Sequence, residues 1–181
     1  MFSSGAGRWR ITLWLALLVA ASVAFTFGFA CAVPFAAFGA AAALTLARRD
    51  ALLLAGMVWL ANQAVGFAFL GYPLTSDCIA WGLILGVIAL SSTLAAQWIS
   101  TSLAGANAIV VALASFAAAF VMYEGGLFLV AATVMGGTEN FVVAAVFRIL
   151  EINTVAFLGL QAVNQVRSTI DTVGMPALAR S

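Results

Sequence analysis

From residue 11 to residue 166 the chain is a succession of apolar runs, and its few charges fall almost entirely in the gaps between them. Hydrophobic residues make up 65% of the 181 positions and charged residues 7%, against about 25% charged in ordinary soluble domains. A run of roughly 20 apolar residues is the length of helix that crosses a bilayer, and a soluble core needs nothing so long. The chain is therefore expected to be a polytopic, all-α membrane protein folded as a single domain in the lipid bilayer.

Six runs are long enough to consider: residues 11–32, 35–47, 51–70, 78–99, 103–122 and 139–166. Pro34 separates the first two, and Arg48-Arg49-Asp50 closes the second. That second run is short: about 13 residues reach only ~20 Å as helix. It is open to being tilted, broken or continuous with the first around Pro34. Tyr123-Glu124-Gly125-Gly126 is expected to break or kink the fifth run before the apolar stretch 127–135, and Gly136-Gly137-Thr138 is expected to turn the chain. Arg8 and Arg10 ahead of the first run, and Ala30-Cys31-Ala32 after it, loosely resemble a signal peptide with a cleavage site. The apolar stretch is long for a signal peptide, and Gly28 stands where a lipoprotein signal wants an aliphatic residue. It reads as the first span.

With six spans, Arg8, Arg10, Arg48, Arg49, Arg167 and Arg180 all fall on one side. The opposite loops carry Asp77, Glu124 and Glu139 and no arginine. The excess of arginine marks the cytoplasmic side, so both termini are expected in the cytoplasm and Cys78 on the outer face. A five-span topology would divide the arginines between the two faces.

Absences narrow the chemistry. A net charge of +1 gives no electrostatic case for nucleic acid binding. The Gly-x-x-x-x-Gly-Lys-Ser/Thr phosphate loop is absent, and no Cys-x-x-Cys pair occurs. There is no histidine, so a soft or borderline metal would have little to bind except one of two cysteines.

Cys78 is the more informative cysteine. Thr75, Ser76 and Asp77 are all good N-cap residues, which places Cys78 in the first turn of the fourth span. Backbone N–H groups there favour a thiolate, and Asp77 opposes it. The plainer alternative is a small buried hydrophobe, which is also the reading for Cys31. Near Cys78 in sequence stand Asn62, Gln63, Phe67, Phe69, Tyr72 and Trp81. Amides inside a span are costly unless paired, so Asn62 and Gln63 are expected to meet a partner helix or a polar ligand. Tyr72 and Trp81 also suit an interfacial aromatic belt. Arg148 and Glu151, three apart in the sixth span, read first as a structural ion pair and second as a gating or ligand contact. Glu124 and Glu139 read as solvated loop acids bordering the outer mouth. Ala16, Ala20 and Ala24 give the first span a smooth face, suited to internal packing or to docking another protein.

The residues Asn62-Gln63-Ala64-Val65-Gly66-Phe67, then Leu70-Gly71-Tyr72-Pro73, then Cys78 ahead of Ala80-Trp81-Gly82, resemble the BtuM family of small bacterial cobalamin transporters. That family is related to the substrate-binding S-components of energy-coupling factor transporters. The resemblance implies a six-helix S-component-like bundle in the bacterial inner membrane, with a site open to the outside. It implies that Cys78 is the axial ligand of the corrin cobalt, with cobalamin bound base-off, and that its thiolate promotes loss of the cyano group from cyanocobalamin. By the same resemblance Asn62, Gln63, Phe67, Tyr72 and Trp81 become corrin contacts. Ala16, Ala20 and Ala24 become the docking face for a coupling subunit and its ATPases. The alternatives are an S-component for another vitamin, with Cys78 incidental, and a structural subunit of a membrane complex.

Overall fold

The computed structural model describes residues 19–20 and 33–173, with side-chain surroundings as far as residue 165. Helix α1 is Phe35–Thr45, α2 is Arg48–Ala68, α3 is Ser76–Ser102 and α4 is Ala108–Val130. A π-helical turn, Ala131–Met135, prolongs α4; a 3-10 turn, Thr138–Asn140, follows, and α5 is Val143–Val173. No strand occurs among these residues. The α2 and α3 helices, α4 with its π turn, and α5 are each long and apolar enough to cross a membrane. The protein is thus an all-helical bundle of membrane-span dimensions. The first expected span, with Ala16, Ala24 and Cys31, lies outside the described residues; Ala20 is helical and exposed.

The organising element is the shortest one. α1 has only 11 residues, a length of about 16 Å, or roughly half the hydrocarbon thickness. Every residue from Phe35 to Ala43 is buried, because all four longer helices pack around it. Its sequence carries no polar stripe, as expected of a helix covered on all sides. The second expected run therefore forms a helix, but it ends at Thr45 and serves as the axis of the bundle. Thr45 lies at the Arg48 end, and the rings of Phe35 and Tyr123 stand 6.0 Å apart, so α1 begins near half depth. Asn153 of α5, 1% exposed, reaches across to accept a hydrogen bond from Ala37 N at 3.1 Å. It also donates to Ile149 O at 2.9 Å. Pro34, at the N-cap position, offers no side-chain cap, so a side chain 116 residues away supplies one.

Glycines set the approach of α2 to α3. The indole of Trp59 donates to Gly82 O at 2.7 Å and lies against Gly86. A Cβ at Gly86 would stand 2.7 Å from the Trp59 ring, whereas one at Gly82 would meet the end of Gln63 at 2.6 Å. The indole is rigid and held by its hydrogen bond; Gln63 can turn aside. Gly86→Ala is therefore expected to cost about 1–3 kcal/mol. Gly82→Ala should fall within about 0.5 kcal/mol of the parent, since the added methyl also favours the helix. Unfolding of the two purified variants by denaturing detergent checks the contrast, and equal losses would refute it.

Three boundaries differ from expectation. Arg48, Arg49 and Asp50 form the first turn of α2 instead of the loop before it. The fifth span starts at Ala108, where Asn107 Oδ1 accepts from Ile109 N at 2.8 Å, and it runs unbroken through Gly125-Gly126. Glu124 is consequently inside a span and buried, not a solvated loop acid. α5 begins at Val143, so Glu139 stays exposed in the preceding 3-10 turn. Arg148 then sits about 8 Å from the start of its helix, short of mid-span. Arg148 and Glu151 are both exposed, and no ion pair joins them.

Candidate functional site

Local rules build the Cys78 end of the α2–α3 hairpin. α2 stops at Ala68, and Gly71 takes a φ of +69°, a conformation in which a side chain would be strained. The chain then folds back so that Tyr72 N donates to Gly66 O at 3.1 Å. The Tyr72 ring lies directly on Gly66, where any Cβ would collide with it. Phe67 meets that ring edge-on, with centroids 5.9 Å apart at 78°. Thr75 caps α3, its Oγ1 accepting from Cys78 N at 3.3 Å. Of the three expected cap types, Thr75 takes the role, and Ser76 and Asp77 become the first helical residues.

Cys78 lies in the first turn of α3 as a free, half-buried cysteine. Its neighbour Ile79 lines a cavity of about 190 Å³ together with Trp59, Gln63, Phe67, Gly82 and Leu83. Gln63 and Phe67 thus line one cleft, and Tyr72 joins them through Phe67, whereas Cys78 is not among the residues that line it. Trp81 is half-buried, three residues beyond Cys78 on the same helix. Asn62 is set apart from these residues. It is 6% exposed, and its Oδ1 has no hydrogen-bond partner. Successive helical residues point about 100° apart, so Asn62 turns into the bundle while Gln63 faces α3.

Two larger cavities, about 590 and 420 Å³, open at the Arg48 end on either side of α1. They are lined mainly by alanine, leucine and amide side chains, with Arg48 and Gln97 in one and Gln161 and Asn164 in the other. Both lie at the opposite end from Cys78 and add nothing to its chemistry.

Of the interior polar residues, sequence reasoning misplaced Glu124 and passed over Asn153. Glu124 is 8% exposed, with both carboxylate oxygens sealed and unpartnered. The signal available was the apolar sequence on both sides of it, residues 108–122 and 127–135. Asn153 stood in the sixth run with no local partner to reveal its role.

Among the described residues no group of three or more histidine, cysteine, aspartate or glutamate side chains could hold a metal ion. Cys78 alone supplies one soft donor. Chemically, that suits a metal that brings its other ligands with it, as a macrocycle-bound metal does. Comparison with protein-family models, with curated proteins and with solved structures finds no match to the chain.

Proposed function

We propose that this protein is a cobalamin uptake transporter of the bacterial inner membrane, with six membrane helices, the second of them short and central, arranged as an S-component-like bundle and both termini in the cytoplasm. The observation that carries the reading is Cys78: a half-exposed thiol at a helix start, on the face with few arginines, without companion metal ligands among the described residues. A cobalt already held by four corrin nitrogens needs only an axial donor, and a thiolate is one. Phe67, Tyr72 and Trp81 offer apolar contact beside it, and Gln63 an amide for the peripheral carboxamides. Asn62, turned inward, contributes only if the bundle opens.

The cavity of about 190 Å³ is below the ~300–1,000 Å³ of ordinary small-molecule pockets. On this reading a corrinoid rests over the outer end of the α2–α3 hairpin, where Tyr72 and the start of α3 lie, instead of sinking into that cleft. Exposed Ala20, with Ala16 and Ala24 on the same expected helix face, supports docking of a coupling subunit with its ATPases.

The test is retention. Purified full-length protein mixed with cyanocobalamin and passed through a gel-filtration column should carry the red vitamin in the protein peak. A vitamin that elutes entirely free removes cobalamin from the reading. It would leave an S-component for another vitamin, or a structural subunit, as what remains.

A further inference from the structure

We propose that Glu124 is a reversible proton-binding site that gates a hinge at Gly125-Gly126, the bundle staying closed at its Cys78 end while the carboxyl is protonated. Glu124 lies about 16 Å from the Met135 end of its span and about 24 Å from the Ala108 end, well inside the bundle. Each carboxyl oxygen has less than 1 Å² exposed and no hydrogen-bond partner. A charged carboxylate held there would cost several kcal/mol. The neutral acid forfeits at most a hydrogen bond, about 1–3 kcal/mol. The neutral form is the one this closed arrangement can hold.

No described charge offsets that balance. The elements packed against α4 are α1, α3, α5 and the π turn. α1 and the π turn carry no titratable group. On α3 the titratable groups are Asp77 and Cys78, in its first turn. α5 carries Arg148 and Glu151, both exposed, and Arg167 and Asp171 toward its Arg48 end. On α4 itself the neighbouring group is the buried Tyr123.

The hinge stands on separate observations. Gly125 faces open space, with nothing within 4 Å of where a Cβ would lie, and the atoms nearest such a Cβ at Gly126 are those of the Ile88 side chain, at 3.4–3.5 Å, an ordinary contact. Adjacent glycines and π turns are where long helices bend. From residue 125 to residue 135 only Ala131 is buried, so little packing holds this end of the helix in place. Loss of the proton makes the closed state costly, and a swing of residues 125–135 would admit water to the carboxylate. A site that takes up a proton on closing and gives it up on opening makes the open fraction of the bundle follow the pH on the Cys78 side.

The full chain in lipid bilayers, without any cargo, provides the test. Infrared spectra in mildly acidic buffer should show the carbonyl stretch of a protonated carboxylic acid, lost in Glu124→Gln. In the wild type that band should fade in alkaline buffer and return on reacidification. Amide hydrogen exchange of residues 125–135, compared between wild type and Glu124→Gln at each pH, cancels the intrinsic pH dependence. The two should match in acid, and wild type should gain about tenfold per pH unit once the site titrates. Labelling glutamate with carbon-13 assigns the band in the wild type alone should the variant fail to fold. Absence of the band at every pH, or an unchanging band with matched exchange, overturns the proposal. Neither result depends on whether cobalamin binds.

Discussion

Purified protein incubated with cyanocobalamin is expected to give a visible spectrum displaced from that of the free vitamin, and Cys78→Ala should abolish the displacement. The corrin bands report the axial ligands of cobalt, so replacing a nitrogen and a cyanide by one sulfur changes them directly. The neighbouring structure makes Cys78→Ala a clean deletion. The thiol is half exposed, and the Thr75 cap uses the backbone N–H of residue 78, which alanine retains. Loss of a metal–sulfur bond should weaken retention by well over tenfold, more than about 1.4 kcal/mol. Cys78→Ser should behave like alanine, because a hydroxyl is a hard donor poorly matched to this role. Thr75→Ala weakens the helix start by about 1 kcal/mol and should leave the spectrum displaced. Retained vitamin with identical spectra in wild type and Cys78→Ala would keep the transporter and dismiss the thiolate.

The reach and limits of the sequence are visible in particular residues. Thr75-Ser76-Asp77 announced the start of α3 because capping is local chemistry, and Gly136-Gly137 announced a turn because positive φ, here +75° and +95°, is glycine's property. Tyr123-Glu124-Gly125-Gly126 misled for the same reason: in water, polar residues and glycines mark loops. Inside a membrane the backbone has no solvent to pair with, so a helix passes through glycines that would end it elsewhere. Arg148 and Glu151 have the spacing of a pair, yet both stand exposed on α5 without joining, because i,i+3 spacing permits a pair and does not require one. Near the candidate site, Gln63, Phe67 and Tyr72 come together because one hairpin carries them all. Asn62 was not separable from Gln63, since the helix face each occupies depends on what surrounds α2.

Asn153→Ala is expected to destabilise the protein by about 2 kcal/mol, more than any comparable change at a half-buried amide. Asn153 caps α1, the helix against which all four long helices pack, at its buried end. Its removal leaves Ala37 N with no acceptor in a region where Ala36 and Ala37 are 0% exposed. Water cannot substitute there, and an orphaned buried donor costs about 1–3 kcal/mol. Polar contacts between membrane helices average nearer 0.6 kcal/mol when the unfolded helices find other partners. A helix N-terminus sealed inside the bundle has fewer alternatives, which is why the larger figure is expected. Asn153→Asp keeps the acceptor but places a charge beside Phe157 and Ala156, both buried, and should be worse than alanine. Asn164, half-buried at one of the cavities near the Arg48 end, provides the control. Asn164→Ala should stay within about 0.5 kcal/mol of the parent in the same detergent unfolding titration. If Asn153→Ala also unfolds with the parent, α1 is held by apolar packing alone and the cross-bundle cap is incidental.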